Sequence, residues 1–135
     1  RVDARPLEEL LRAGRLPVVA PIAIELASGA ARLLNTNADT AAGEIAAALG
    51  ASQLVFLTDV EGVLDADRRL LPRLSAVEAR ALIASGVAAG GMIPKLEAAV
   101  RAASAGCATR IVDGTKPGAL AAVLSGASGG TTVEA

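Results

Sequence analysis

Asn35-Thr36-Asn37-Ala38-Asp39-Thr40 places three polar side chains, Asn35, Asn37 and Asp39, at alternate positions ahead of an alanine-rich stretch. Carboxamides and a carboxylate at a strand end, just before a helix, can bind a polar ligand. The helix N-terminus adds free N–H groups and the positive end of its dipole. Asn37 or Asp39 would also serve as an ordinary N-cap, which leaves the alternation unexplained. Gly90-Gly91-Met92-Ile93-Pro94-Lys95 is a second candidate. Its glycines let backbone approach a ligand closely. Lys95 falls in the first turn of a helix, where a cation opposes the dipole and is better placed beside a bound anion. The plain alternative is a loop with a solvated lysine. Thr58-Asp59-Val60-Glu61-Gly62-Val63-Leu64 is a third. Asp59 could bind a ribose hydroxyl, by analogy with dinucleotide folds, or simply close an Asx-type turn. Neither GxxxxGK[ST] nor GxGxxG is present.

Composition removes other chemistries. The 135 residues contain no histidine, tryptophan or tyrosine, and Phe56 is the sole aromatic. Histidine triads, histidine-ligated metals and aromatic stacking platforms are therefore excluded. Cys107 is the one cysteine, so no internal disulfide or cysteine-pair zinc site exists. Nothing cationic adjoins it, and it reads as a small buried residue rather than a nucleophile. Lys and Arg number 13 against 14 Asp and Glu, with no basic block, which disfavours binding of nucleic acid or an anionic membrane by bulk charge. No apolar run reaches the ~20 residues of a membrane span, and the charged first residues are not a secretory signal. A reducing, cytoplasmic setting is expected.

Apolar runs and helical patterns alternate along the chain. Leu7, Leu10 and Leu11 have helical spacing over residues 5–13, with Gly14 as the stop. Leu16–Ile24 reads as a buried strand whose prolines mark ends or a bend. Residues 29–34 read as a short ribbon leading to Asn35. Residues 38–49 read as a helix with Ile45 and Leu49 on one stripe. Leu54–Leu57 reads as a strand buried on both faces. Residues 59–71 suggest a small hairpin with Asp65, Asp67, Arg68 and Arg69 at a solvated tip. Ser75 and Glu78 form a capping box opening a helix to about Ser85. Further helices are expected over Pro94–Ala105 and Pro117–Leu124, a strand at Arg110–Val112, and an edge strand at Thr131–Val133. This alternation predicts one 1–135 domain of α/β class, a parallel sheet with helices on both faces. Loops at the carboxyl ends of such strands bind ligands, which selects residues 35–39, 58–64 and 113–116.

LPVVAPI, LLNTNADTAAGEIAAALGA, LVFLTDVEGVLD, GGMIPKLEAAVRAASAGC and IVDGTKPGALAAVL together resemble, in order and spacing, the amino acid kinase family, and within it the acetylglutamate kinase branch. The likeness covers nearly the whole chain and corresponds to the family's carboxyl-terminal, ATP-binding half. It implies a three-layer αβα sandwich with a mostly parallel sheet, the carbamate kinase-like fold. It implies ATP-dependent phosphorylation of the side-chain carboxylate of N-acetylglutamate to an acyl phosphate, a step of arginine biosynthesis. By position, Lys95 would stabilise the transferring phosphoryl group, Asp39 would orient the lysines, and Asn35 would help bind the amino-acid substrate. Thr58, Asp59, Gly62, Leu64 and Met92 would line the ATP pocket. Mg²⁺ would be held mainly through ATP phosphates and water, without protein ligands of its own.

The family's amino-terminal half, with a second lysine and a glycine-rich phosphate loop, has no counterpart in this chain. The segment alone is therefore expected to be inactive, and homo-oligomers are expected to form through that other half. Two alternatives stay open. One is a kinase for aminoadipate or glutamate linked to a carrier protein, although Met92-Ile93-Pro94 occupy the loop where extra cations would meet an acidic carrier. The other is a non-catalytic nucleotide-binding module on the same fold.

Overall fold

The computed structural model describes residues 1–27 and 30–135. Helix α1 (Arg5–Arg12) has Pro6 in its first turn and carries an Arg12–Glu8 pair on its solvent face, 2.6 Å apart. It buries none of its residues. The buried strand expected over Leu16–Ile24 is not formed. Residues 15–20 are irregular, and Leu16 and Val18 are 87% and 93% exposed. Pro17 and Pro21 lack the N–H groups that a sheet ladder needs. Among the described residues strand β1 (Ile22–Ala27) pairs only with β2 (Ala30–Asn35), as an antiparallel ribbon. Gly29, where the ribbon was expected to begin, lies outside the described residues.

Helix α2 (Ala38–Leu49) runs to Gly50, whose positive φ of 59° suits glycine and ends the helix. Its buried positions are Gly43 and Ala46 rather than the expected Ile45–Leu49 stripe. The smaller side chains let it lie close to a neighbouring helix, while Ile45 opens onto a shallow apolar hollow with Pro17, Val19 and Pro21.

The main sheet has four strands in the order β3 (Gln53–Thr58), β5 (Ala108–Asp113), β6 (Thr131–Glu134), β4 (Arg73–Ser75). The β3–β5 and β4–β6 pairs are parallel; β5–β6 is antiparallel. Two expectations change here. β6 is not at an edge but between β5 and β4, and β3 is an edge strand. With a neighbour on one side only, β3 buries Phe56 and leaves Leu57 half in solvent, so it is not buried on both faces.

The hairpin is present: Leu64 bridges Leu70, and Asp65 N–H donates to Arg69 O. Helix α3 (Ala76–Ala84) opens on the expected box, with Ser75 Oγ accepting from Glu78 N–H at 3.2 Å and Glu78 Oε2 accepting from Ser75 N–H at 2.7 Å. Helix α4 (Met92–Ala103) carries Pro94 in its first turn, and α5 (Ala119–Leu124) follows β5.

Helices α2, α3 and α4 pack on one face of the sheet, and α5 on the other. The core lies under α4, where Leu96, Ile111, Val133 and Ala99 are fully buried beside Phe56 and Leu74. Among the described residues no helix is long and apolar enough to cross a membrane.

Candidate active site

Asn37 takes the capping role. Its extended backbone opens α2, and its Oδ1 accepts from Thr40 N–H at 3.0 Å. Thr36 anchors the same corner by donating its N–H and Oγ1 to Pro21 O, at 2.9 and 3.0 Å. Asp39 then falls in the first turn of α2, where a carboxylate favours the dipole. Asn35 ends β2 and is exposed.

Lys95 rises from the first turn of α4, and its Nζ donates to Asp39 Oδ2 at 3.0 Å. Each side chain of this pair is only 19% exposed, the most shielded ion pair described in the molecule. The placement of a lysine against its helix dipole is thus offset by a fixed carboxylate from another helix. The remaining ion pairs are largely exposed and contribute little.

Beside this pair lies a cavity of about 250 Å³ lined by Thr58, Asp59, Val60, Gly91, Met92 and Lys95. Thr58 and Asp59 reach it because β3 ends there, and Thr58 Oγ1 donates to Asp59 Oδ1 at 3.1 Å. Gly90 adopts φ 55°, a turn favouring glycine, which delivers Gly91 and α4 to the wall. A second hollow of about 420 Å³ adjoins it, sharing Val60, Ala89 and Met92, and adds Gly62, Leu64 and Val87. At Gly62, with φ 156°, a Cβ would stand 2.7 Å from Thr131 Oγ1 and Leu70 Cδ1, so the chain turns where no side chain fits.

The structure therefore brings Thr58, Asp59, Met92 and Lys95 to one cavity, attaches Asp39 through Lys95, and puts Gly62 and Leu64 in the adjoining hollow. Asn35 lines neither. Val60 lies in the selected 58–64 loop without a role of its own, and Val87 and Ala89 were not anticipated; small apolar residues in loops carry no chemical signal, and only the fold reveals them as walls. The loop at Asp113 closes on itself. Thr115 donates its hydroxyl and N–H to Asp113 Oδ1 at 2.6 and 2.9 Å, chiefly the hydroxyl holding that carboxyl below its usual range.

This arrangement offers a shielded cation, a helix N-terminus and a mixed apolar and hydroxyl-lined groove, a set that suits a phosphorylated ligand with a planar apolar part. Comparison with known proteins gives the same direction. The sequence profile of the amino acid kinase family matches residues 1–113. The acetylglutamate kinase of Rubrobacter xylanophilus is 46% identical over 132 residues, covering 98% of this chain and 50% of that protein. The chain spans about half the length of the curated relatives it matches. Among solved structures, N-acetylglutamate synthase from Neisseria gonorrhoeae, complexed with coenzyme A and L-arginine, superposes with TM-score 0.86 at 29% identity, covering 99% of this chain and 31% of that one. Carbamate kinase from Giardia lamblia bound to AMP-PNP superposes with TM-score 0.67 at 26% identity, covering 82% of this chain and 36% of that one. The layered α/β fold with its mixed, mostly parallel sheet is that of these kinases, and the chain belongs to the amino acid kinase family.

Proposed function

We propose that this chain supplies the nucleotide-binding half of an acetylglutamate kinase. A carboxylate oxygen of N-acetylglutamate attacks the γ-phosphorus of ATP, the bond to the bridging oxygen breaks, and ADP leaves as the acyl phosphate forms. The shielded Lys95–Asp39 pair at the mouth of the groove carries this reading. The acetylglutamate kinase relatives support the choice of reaction.

Phosphoryl transfer needs positioning and charge neutralisation more than covalent help. Lys95 Nζ and the first turn of α4 present positive charge to the transferring group. Asp39 keeps that ammonium placed before phosphate arrives. Asn35 takes the amino-acid substrate. Thr58, Asp59, Gly62, Leu64 and Met92, joined by Val60, Val87 and Ala89, hold the nucleotide. Among the described residues lining the smaller cavity Asp59 is the only carboxylate, and it already accepts from Thr58. That donor set fits a Mg²⁺ that keeps its phosphate and water ligands. Bound in this way, Mg²⁺ supplies further neutralisation of the phosphates.

The test replaces the matching half of the Rubrobacter xylanophilus enzyme with this chain. The chimaera is expected to phosphorylate N-acetylglutamate. Lys95→Ala in it is expected to lower turnover by about 10²–10³-fold with ATP affinity little changed, the cost typical of losing one preorganised donor. Unaltered turnover would overturn the reading. The 135-residue chain by itself is expected to bind ATP saturably in calorimetry and to show no turnover.

A further inference from the structure

Asp39 and Lys95 stand on different helices, so something must set the distance between those helices. Gly43 lies one turn after Asp39 on α2, and Ala98 three residues after Lys95 on α4. Both are buried. A Cβ on Gly43 would stand 2.9 Å from Ala98 Cα, Cβ and O, closer than real Cβ contacts allow. Two of these three atoms are backbone and the third is fixed to it, so none can swing aside. Further along, Arg101 clamps Glu44 with Nε–Oε1 and Nη2–Oε2 contacts of 2.9 and 3.3 Å. An ion pair thus stands on either side of the contact, the shielded one at Asp39–Lys95 and a half-exposed one at Glu44–Arg101, and the helices come close between them because a side chain is absent.

We propose that Gly43 is a positioning residue: seated against Ala98, it sets how closely α2 approaches α4, and so holds Asp39 where it fixes the Lys95 ammonium. The claim that this governs turnover rests on the kinase reading above; the claim about Lys95 placement does not. A methyl at Gly43 must push the helices apart one turn from the Asp39–Lys95 pair. Misplacement of a catalytic group by about 1 Å can cost a factor of about 10² in rate. Of the nucleotide walls, Thr58, Gly62 and Leu64 belong to other segments, and only Met92 stands on α4.

The test makes Gly43→Ala, Gly43→Ala with Ala98→Gly, and Lys95→Ala in the chimaera, and the first two also in the 135-residue chain. In the chimaera, Gly43→Ala is expected to lower kcat by about tenfold to hundredfold, with KM for ATP unchanged within about twofold. Ala98→Gly removes only the Cβ contact and leaves those to Cα and O at 2.9 Å, so it is expected to restore kcat only in part. In the 135-residue chain, the ¹H–¹⁵N signal of the Lys95 ammonium, protected by its partner, is expected to be lost in Gly43→Ala and at most partly regained in the double variant. If Gly43→Ala does not fold, Ala98→Ser adds one atom to the same contact from α4 and is read by the same kcat, KM and ammonium criteria.

Normal kcat and an intact ammonium signal in a folded Gly43→Ala protein would overturn the proposal, showing that the lysine stem absorbs the displacement. A loss of kcat with the ammonium signal intact would overturn it too. Full turnover in Lys95→Ala would overturn the catalytic claim along with the kinase reading. The ammonium signal reports separately on placement.

Discussion

The face of the sheet under α4 and the segment from Leu16 to Leu34 are equally apolar in sequence and opposite in fate. Under α4, Leu96, Ile111 and Val133 lose all contact with solvent. Along the other segment, Leu16, Val18, Ile22, Ile24 and Leu33 stay exposed. The difference lies in neighbours. Strands β5 and β6 each have a partner on both sides and a helix above, whereas among the described residues β1 and β2 have only each other as strand partners. Apolar character measures a wish for cover; the topology decides which residues receive it. The site stands at the border between these regions, with Asp39 on the helix entered from the ribbon and Lys95 on the helix that roofs the core.

The largest effect separates the regions directly. Leu96→Ala should cost about 2–5 kcal/mol of unfolding free energy, because it empties a site whose surroundings cannot collapse. Leu16→Ala should stay within about 0.5 kcal/mol. Urea unfolding of the two variants measures this, and equal losses would break the comparison.

A subtler contrast sharpens it inside the covered region. Thr131 and Thr109 are both fully buried on the sheet. Thr131 Oγ1 accepts from Val63 N–H at 2.8 Å and donates to Leu71 O at 2.7 Å, whereas Thr109 Oγ1 has no partner among the described residues. Thr131→Val should cost about 1–3 kcal/mol by orphaning two backbone groups, while Thr109→Val should be neutral or stabilising. Thermal melts of both would show it.

The smallest effect belongs to the rim. Ser75→Ala removes half of the capping box and should cost about 1 kcal/mol at neutral pH. Hydrogen bonds from the Ser75 N–H, then from its hydroxyl, hold the Glu78 carboxyl below its usual range. That contribution is complete above the ordinary glutamate pKa and fades as pH falls through the lowered folded value. Urea midpoints of parent and variant should therefore draw closer in acid, the remaining gap being the Ser75 Oγ cap on Glu78 N–H.

Much of the helical order was legible. The Ser75–Glu78 box, the Pro94 start and the Gly50 stop are local signals, and each acts within one turn. Strand burial was less legible. Leu54–Leu57 reads as a two-sided core strand, but its exposure follows from an edge position that no short window encodes. The central place of β6 depends equally on partners remote in sequence. At the site, Asn37, Asp39 and Lys95 announced themselves by residue type. The division of labour between Asn37 as cap and Asp39 as partner of Lys95 required the crossing of α2 and α4. Gly43 was silent because its role is an absent atom.

The insertion of β6 between β5 and β4 also bears on how the molecule assembles. Arg73 and Glu134, 61 positions apart, form an ion pair across the β4–β6 seam. Closing so long a loop costs entropy before any ladder bond repays it, which slows folding. The β3–β5 pair and the helices between can form first, yet β4 has no other strand to join. During synthesis it must wait, unpaired, until Thr131–Glu134 has been made. The kinetics of this sheet are therefore gated by its last strand, and the order of assembly departs from the order in which the ribosome delivers the chain.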